Sequence, residues 1–323
     1  MTSRRQALEL HPAVAAWQTL GAGRAEPEAV ETIEEKNKSA VYRLLGAGEE
    51  GAAVIAKLGR REGLFVERTI YLRVLPRLPV PTLHCYGFLE GEAAHWLFLE
   101  EADGRRYSAR RAADRALAGR WLGEVHTAVD PALEAELPDR GPSHYLVHLR
   151  LGRVALRQSL ARPGLAADER AILETTARLY DRLESSWSRI EEFYDAMPRA
   201  LVHGDFVQKN ARVRNGKAAP ELLILDWEVA GWGPPAADLS QTSGGALNPD
   251  LTAYCSAVRA HWPGLELNDV VALADYGAVF RSLAAISWES RRLGYGHDTW
   301  PVRNIAVYRN WLARTLRAIG FPR

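Results

Sequence analysis

The 323-residue chain has 41 lysines and arginines against 40 aspartates and glutamates, so its net charge of +1 gives no overall field to attract nucleic acid or a membrane surface. Apolar residues make up 47% and charged residues 25%, which is typical of a globular protein with one or two cores. Cys85 and Cys255 form no metal-binding or disulfide pattern, and no apolar run is long enough to cross a membrane, so we expect a cytoplasmic protein.

The first hundred residues contain one helix followed by short strands. Apolar positions at helical spacing predict a helix over residues 5–20, without the continuous apolar core of a signal peptide. From about residue 28 to 100, short apolar runs separated by turn-rich segments predict a small antiparallel sheet that carries one helix, LFVERTIYLRVLPRL. The segment 46–51 matches GxGxxG, but a short β-branched run follows it. We therefore expect a turn between strands and not a phosphate-binding loop.

The rest of the chain is mostly helical. Three long segments between residues 105 and 200 have apolar positions with a period of 3.6, and this periodicity returns toward the C-terminus. Two strand-like segments, ALVHGD and ELLILDWE, interrupt the helices. The sequence therefore predicts a bilobed α+β protein. Its parts are a β-rich N-terminal lobe over 1–100, a hinge over 101–104 and a large helical C-terminal lobe over 105–323.

The segment LVHGDFVQKNARV has an aspartate at the end of a strand and an asparagine five residues later. Phosphoryl transfer from ATP needs metal ligands, a cation for the phosphates and a carboxylate near the acceptor hydroxyl. Asp205 can face the acceptor while the side-chain oxygen of Asn210 faces a metal. The next strand ends at Asp226, and NGK supplies the hairpin turn before it. Asn210 and Asp226 offer the oxygen ligands that Mg²⁺ prefers.

The cation that this chemistry requires is Lys57, in the third predicted strand. A lysine on a strand face needs an acidic partner to hold its ammonium in place. Glu67, ten residues later on the predicted helix, is the expected partner, and Glu62 on the same helix is a competitor because helix register is hard to fix from sequence. Together with the loop and strand residues, this pair indicates a phosphotransferase.

With these residues in this order, the chain resembles the aminoglycoside phosphotransferase and choline-kinase-like family, which shares the protein-kinase fold. VHGDFVQKN is similar to the catalytic loop of that family, with HGD where protein kinases have HRD, and LILDWE is similar to its metal-binding strand. LFLEEADG resembles its lobe-connecting hinge, WLGEVHT one of its helices, and GPPAADLS the run that follows the metal-binding strand. The similarity extends from about residue 28 to 245.

The resemblance implies roles for the residues of the site. Asp205 is the catalytic base, or it orients the acceptor hydroxyl. Asn210 and Asp226 bind Mg²⁺. Lys57 contacts the α- and β-phosphates of ATP and pairs with Glu67.

The resemblance also implies the remaining contacts to the nucleotide. The backbone of Glu100 and Ala102 holds adenine. Ser39, in the loop between the first two strands, covers the phosphates in place of a glycine-rich loop. Because that loop contains no glycine, its contacts to the phosphates depart from those of a protein kinase.

Five further polar residues lie near these motifs. We expect His203, His126 and Asp238 to hold the fold and not to react. Lys209 is expected to point to solvent, although contact with the transferred phosphate is the alternative. Glu228 either reaches a second metal or forms a salt bridge, and the sequence leaves both interpretations open.

The acceptor is less clearly indicated than the phosphate donor. Enzymes that modify aminoglycosides need acidic acceptor clefts, because their substrates are polycations. Between residues 105 and 162 this chain has eleven arginines and six acids, and Arg150, Arg153 and Arg157 would form a basic stripe on one helix. The stripe is either a solvated helix face or a surface for an anionic or peptide partner.

The sequence leaves three functions open. The first is an ATP- and Mg²⁺-dependent kinase that phosphorylates a hydroxyl of a small molecule such as an antibiotic or a metabolite. The second is a peptide Ser/Thr kinase in ribosomal-peptide tailoring, where an acidic leader peptide would suit the basic stripe and a separate lyase partner would eliminate the phosphate. The third is a catalytically silent ATP-binding scaffold, against which the presence of Lys57, Asp205 and Asp226 argues.

Overall fold

The computed structural model describes residue 8 and the ranges 10–21, 23–36, 39–59, 61–92, 94–242, 245–293 and 300–321. The chain divides into two compact units. The first consists of Met1–Arg106 together with Ala211–Val229, and the second of Tyr107–Asn210 together with Ala230–Arg323. The first unit is rich in strands and the second in helices, as the sequence predicts.

A five-stranded antiparallel sheet forms the centre of the first unit. Its strands in chain order are β1 (Ala29–Lys36), β2 (Ser39–Leu45), β3 (Val54–Gly59), β4 (Cys85–Leu89) and β5 (His95–Glu100). Their spatial order is β1-β2-β3-β5-β4, so β3 is paired on both sides. Ala56 of β3 lies opposite Phe98 of β5, and both are fully buried. Pairing on both sides and burial fix the position of β3, which carries Lys57.

The GxGxxG segment forms the turn between β2 and β3. It contains a short 3₁₀ turn, Glu49–Gly51. Gly46, Glu50 and Gly51 have positive φ angles of 75°, 52° and 80°. Glycine adopts this left-handed region without steric cost, which explains its use here. The expectation of a turn between strands is confirmed.

The helix α1 (Pro12–Thr19) belongs to the core of this unit. It lies within the predicted range 5–20, of which residues 5–7 and 9 lie outside the described part of the chain. Trp17 is 1% exposed and packs in one apolar cluster with Tyr42, Leu44 and Phe98 of the sheet. Burying an aromatic side chain of this size is a large apolar contribution to stability, so α1 serves as a cover for the sheet.

The helix α2 (Arg61–Thr69) follows β3 directly. The sequence predicts one helix over LFVERTIYLRVLPRL, but α2 begins three residues earlier and its continuation is irregular. A π-helical turn, Ile70–Val74, and a 3₁₀ turn, Leu75–Arg77, complete the segment. Pro76 has no N–H to donate to a helical hydrogen bond, which accounts for the irregular end.

The remaining strands are β6 (Arg105–Arg106), β7 (Ala200–Val202), β8 (Ala211–Asn215), β9 (Pro220–Ile224) and β10 (Gly231–Gly233). In the first unit, β6, β8 and β9 form a three-stranded antiparallel sheet, and in the second unit β7 pairs with β10. The hairpin of β8 and β9 belongs to the first unit because β8 pairs with β6. The predicted lobe boundary assigns this hairpin to the C-terminal lobe.

The second unit is built mainly from helices, namely α3 (Ala112–Ala128), α4 (Pro142–Leu160), α5 (Ala167–Ser185), α6 (Ser188–Asp195), α7 (Leu251–Val258), α8 (Leu267–Ser290) and α9 (Trp300–Ala318). Of the helices in the described ranges, α8 alone is long and apolar enough to cross a membrane. However, 72% of its most apolar 18-residue window is buried within the protein, which is typical of a core helix.

Candidate active site

Lys57 lies in β3, and two carboxylates hold its ammonium. Nζ donates to both oxygens of Glu67, at 2.8 and 2.7 Å, and to Oδ1 of Asp226 at 2.9 Å. The side chain of Glu67, on α2, is 1% exposed, whereas that of Asp226, which follows β9, is 32% exposed. Glu62, the competing candidate, is exposed in the first turn of α2. The structure therefore pairs Lys57 with Glu67.

The charge of Lys57 depends on this pairing. Burial by itself lowers the pKa of the ammonium, but the negative charges of Glu67 and Asp226 outweigh burial and raise the pKa above its usual value. Lys57 therefore stays protonated at neutral pH. The ammonium lies between the carboxylates of Glu67 and Asp226.

Asp226 has an unusual backbone conformation, with φ at 67°. This left-handed region is uncommon for residues other than glycine, although aspartate enters it more readily than most. The N–H of the next residue, Trp227, donates to Oε1 of Glu67 at 3.1 Å. Glu67 therefore holds both Lys57 and the turn that carries Asp226. Conformations of this kind persist where the surroundings enforce them, and they cluster at functional sites.

In the second unit, the loop after β7 carries Asp205 and Asn210. Asp205 is 9% exposed. The side-chain nitrogen of Asn210 donates to the backbone carbonyl of Asp205 at 3.1 Å and to its Oδ2 at 3.4 Å. Because the nitrogen is engaged, the amide oxygen is the atom of Asn210 that suits a metal. Lys209 is 70% exposed, and its Nζ lies 3.5 Å from Oδ2 of Asp205.

Asp238 fixes the direction of this loop. Its carboxylate accepts from the backbone N–H groups of His203 at 2.6 Å and Gly204 at 2.9 Å. Gly204 has φ at 76°, which explains the glycine of HGD. Nδ1 of His203 accepts from the N–H of Asp205 at 3.2 Å, and Nε2 of His126 lies 3.4 Å from Asp238. These buried contacts position the loop, in line with the structural roles expected for both histidines and Asp238.

Arg281 contacts the candidate catalytic aspartate, and the sequence analysis did not identify it. It lies on α8, donates from Nη1 to Oδ1 of Asp205, and its side chain is 11% exposed. A Cβ on Gly277 would lie 2.0 Å from the carbonyl oxygen of Ala236, so only glycine allows α8 to come this close to the 3₁₀ turn Pro235–Asp238. Residues four apart share one helix face, so this approach brings Arg281 toward Asp205. Arg281 is the sole lysine or arginine in the sequence of α8, and that isolated charge was the available signal.

The other predicted nucleotide contacts lie in the first unit. Ser39 begins β2 and is exposed, while residues 37–38 of its loop lie outside the described part of the chain. Glu100 ends β5, and its N–H donates to the carbonyl of His84 at 2.8 Å. Ala102 follows and is half-buried. Their contacts to phosphate and adenine stay predictions.

The basic stripe on α4 is neutralised by α5. Arg150 pairs with Glu184 at 2.6 Å, Arg153 with Asp181 at 3.0 Å, and Arg157 with Asp181 at 2.9 Å. These three ion pairs join two neighbouring helices at the surface. They favour a structural helix face over a surface reserved for an anionic or peptide partner.

The candidate metal ligands fit Mg²⁺ bound together with a nucleotide. Within the described ranges there is no group of three or more His, Cys, Asp or Glu side chains that could hold a metal ion. Mg²⁺ instead takes one or two protein ligands and completes its shell with water and substrate phosphates. Asn210 and Asp226 supply oxygen donors of the right kind. Glu228 is exposed two residues after Asp226, and a role for it at a second metal stays a prediction.

Comparison with known families identifies the chain. The sequence pattern of the phosphotransferase enzyme family matches residues 29–276, which include every predicted catalytic and metal-binding residue. The chain belongs to the phosphotransferase enzyme family. This result confirms the predicted family and the predicted class of enzyme. No curated protein sequence matches the chain.

Solved structures confirm the predicted kinase-like fold of this phosphotransferase. A spectinomycin phosphotransferase in complex with ADP and spectinomycin is 12% identical, with a TM-score of 0.62, and the match covers 96% of this chain and 98% of that one. The GDP complex of an aminoglycoside 2'-phosphotransferase is 12% identical, with a TM-score of 0.63 and coverage of 94% and 97%. Choline kinase from Cryptosporidium parvum is 12% identical, with a TM-score of 0.58 and coverage of 96% and 94%.

Proposed function

We propose that this phosphotransferase transfers the γ-phosphate of ATP, bound with Mg²⁺, to a hydroxyl group of a small molecule. The observation that carries the proposal is the protonated Lys57 of β3, which Glu67 and Asp226 hold in place. A cation that is fixed before the phosphates arrive needs no reorganisation during transfer, and preorganised charge of this kind is the main source of catalysis in phosphoryl transfer.

On the donor side, Lys57 contacts the α- and β-phosphates and Glu67 keeps it in position. The side chain of Asp226 is the more exposed of the two carboxylates. In the proposal, Asp226 and Asn210 are the residues that would hold Mg²⁺. The ion neutralises charge on the phosphate oxygens. Ser39, Glu100 and Ala102 complete the nucleotide contacts.

On the acceptor side, Asp205 orients the hydroxyl and takes its proton. The hydroxyl oxygen forms a bond to the γ-phosphorus, the bond between that phosphorus and the β–γ bridging oxygen breaks, and ADP leaves. Similar folds support this assignment, because one such structure contains ADP with spectinomycin and another is a choline kinase. The GDP complex of a third makes GTP the natural alternative donor to test.

A small molecule is preferred to a peptide as the acceptor. The basic stripe that suggested an acidic leader peptide is engaged in ion pairs with Asp181 and Glu184. The scaffold hypothesis would be favoured by loss of a catalytic residue, but Lys57, Asp205 and Asn210 are all present. Because ATP is the donor and Cys85 and Cys255 are free thiols, the proposal also locates the enzyme in the cytoplasm.

The test is phosphate transfer by the purified protein with Mg²⁺ and either ATP or GTP. Acceptors include spectinomycin, other aminocyclitols, choline, ethanolamine, hydroxy acids and Ser/Thr peptides, and mass spectrometry identifies the phosphorylated product. Asp205→Asn keeps the shape of the side chain but removes the base. We expect kcat to fall by about 1,000-fold, within the range of acid–base catalysis. Asp195→Asn, an exposed site on α6, is the matched control and should leave kcat unchanged.

Isothermal titration with Mg-ATP separates binding from transfer. The proposal expects wild type and Asp205→Asn to bind the nucleotide with similar Kd. Absence of nucleotide binding by the wild type would contradict it. Binding without transfer to any acceptor, by wild type and both variants alike, would instead favour the scaffold.

A further inference from the structure

The guanidinium of Arg281 has a buried donor that no described residue uses. Its Nη1 donates to Oδ1 of Asp205, whereas its Nε is buried without a hydrogen-bond partner in the described part of the chain. An unmet buried donor costs roughly 1–3 kcal/mol, so native structures seldom keep one without a reason. A bound molecule that accepts from this nitrogen would remove that cost.

The geometry of arginine limits which group can do so. A guanidinium has five N–H donors in a planar fork, and its edges match the two oxygens of a carboxylate or a phosphate. With Nη1 directed at Asp205, the edge that includes Nε keeps a donor without an acceptor. An anion on that edge would lie beside the predicted catalytic aspartate without displacing it.

An aromatic ring lies beside Arg281. The guanidinium carbon lies 5.9 Å from the ring centre of Trp288, which in turn meets the ring of His148 edge-on at 5.9 Å. Burial, followed by the charges of Arg291 and Arg140, lowers the pKa of His148 to about 4, so the ring is neutral at pH 7. Its Nδ1 is also buried with no partner among the described residues.

The charges around Asp205 also favour an anionic acceptor. Arg281 and Lys209 both lie within ion-pair distance of its carboxylate. Both cations lie at the carboxylate that the acceptor hydroxyl must approach in the proposed function. Like charges at this distance repel, and in a partly buried site the repulsion is screened less than in water. A polycationic acceptor is therefore a poor match for this position.

We propose that Arg281 binds a carboxylate or a phosphate on the acceptor, so that the substrate is a hydroxy acid or a phosphorylated alcohol and not a polycation. The inference rests on the proposed function, because it specifies the acceptor of the same reaction. The anion occupies the Nε edge of Arg281, and the hydroxyl of the same molecule meets Asp205. Arg281 thus selects the acceptor, while Asp205 receives its proton.

The first test measures binding and needs no turnover. Thermal melting is followed in saturating Mg-ADP while D-glycerate, glycerol 3-phosphate or neutral glycerol is added at constant ionic strength. We expect at least one of the two anions to raise the Tm of the wild type by about 3 °C or more near saturation, and glycerol to have no effect. Which of the two anions raises the Tm shows whether the site recognises a carboxylate or a phosphate.

Variants assign the response to Arg281. Arg281→Met should abolish the shift, and Arg281→Lys, which keeps the charge but loses the fork, should weaken anion binding at least about 5-fold. Arg150→Met is the matched control, because Arg150, like Arg281, pairs with a carboxylate. Arg150 differs in lying at the surface, where it pairs with Glu184. If Arg281→Met does not fold, Arg281→Lys carries the test. A wild type that responds to neither anion, or equal responses in wild type and both Arg281 variants, would overturn the proposal.

The second test separates this inference from the proposed function. With Mg-ATP, we expect kcat/KM for the effective anionic acceptor to exceed that for glycerol by at least about 10-fold, and Arg281→Met to remove the preference while leaving the Kd of Mg-ATP unchanged. Transfer to neutral or cationic acceptors that Arg281→Met leaves unaltered would refute the acceptor class alone. Failure of the wild type to bind Mg-ATP would refute the proposed function itself.

Discussion

The two charge clusters of this protein have opposite arrangements. In the first unit one cation, Lys57, lies between the carboxylates of Glu67 and Asp226. In the second unit one carboxylate, Asp205, lies between the cations of Arg281 and Lys209. A cation held by acids can pass from a carboxylate to a phosphate oxygen. A carboxylate beside cations can accept a proton from a molecule whose anionic group those cations attract. The first cluster therefore suits the phosphate donor, and the second suits the acceptor.

The clusters also differ in how they are tied into the fold. Glu67 is almost completely buried, and it holds both Lys57 and the backbone of the turn after β9. Asp205 depends on a separate residue, Asp238, for the course of its loop. In the first cluster, Glu67 therefore supplies both charge and positioning. In the second cluster, Asp205 supplies the charge and Asp238 positions the loop. The predictions below test this difference, beginning with the largest expected effect.

Of the variants that test this difference, Lys57→Met should have the largest effect. In Lys57→Met, phosphate transfer should fall at least about 100-fold, because the phosphates lose their fixed cation. The free energy of unfolding should fall by about 3–5 kcal/mol, because Glu67 is left buried without its counter-charge. Steady-state kinetics and urea denaturation measure the two effects, and Lys217→Met, at an exposed turn, is the matched control.

A double variant separates charge from chemistry at this cluster. Lys57→Met combined with Glu67→Gln removes the uncompensated carboxylate, so stability should recover in part while activity stays low. If the double variant is no more stable than Lys57→Met, the unpaired charge of Glu67 is not the cause of the loss.

A smaller effect is expected at Asp238. Asp238→Asn weakens two hydrogen bonds from the backbone of the loop that carries Asp205, and each such bond to a charged group contributes about 1.5–3 kcal/mol. We expect kcat to fall about 10-fold through misplacement of Asp205. The KM for ATP should stay unchanged, because the lysine cluster does not depend on Asp238. An equal change in the KM for ATP would mean that the two clusters are not positioned independently.

The burial of His148, together with the charges of Arg291 and Arg140, predicts a pH dependence of stability. His148 has a pKa of about 4 in the folded protein against an ordinary value of 6.5. As the pH falls below 6.5, His148 binds a proton in the unfolded chain, whereas in the folded protein it does so only near pH 4. Stability is therefore lost across this window, by about 3 kcal/mol for a shift of this size. Above pH 6.5 the ring is neutral in both states and contributes nothing to the slope.

Urea denaturation at several pH values measures this contribution. His148→Phe keeps an aromatic ring but cannot titrate, so its stability should change less between pH 6.5 and 4 than that of the wild type. His261→Phe, at an exposed position, is the control. The same slope in the wild type and in His148→Phe would show that folding does not lower the pKa of His148.

The smallest effect is expected on the basic stripe. Arg157 is 59% exposed and pairs with Asp181, which is 44% exposed. Surface pairs of this kind contribute about 1 kcal/mol or less. Arg157→Ala should therefore leave activity unchanged and lower stability by no more than that, as judged by the same assays. A loss of activity would return the stripe to consideration as a binding surface.

The sequence by itself determined the local elements that carry the candidate site. The HGD loop, its asparagine and the later aspartate are recognisable because short, fixed offsets encode the end of a strand and the loop that follows. The segments AVETIEE, SAVYRLL and HWLFLE are strands in the structure, and in SAVYRLL alternate side chains are buried, as the alternation of its apolar residues predicts. These features are local, so neighbouring residues suffice to define them.

Tertiary structure decided the partners of the charged residues. Glu67 and not Glu62 pairs with Lys57, because that choice depends on the rotation of α2 against the sheet. Arg281 reaches Asp205 across 76 residues of chain, because Gly277 lets α8 approach a 3₁₀ turn. Side-chain charge acts over a few ångströms in space, and only packing determines which distant residues come within that range.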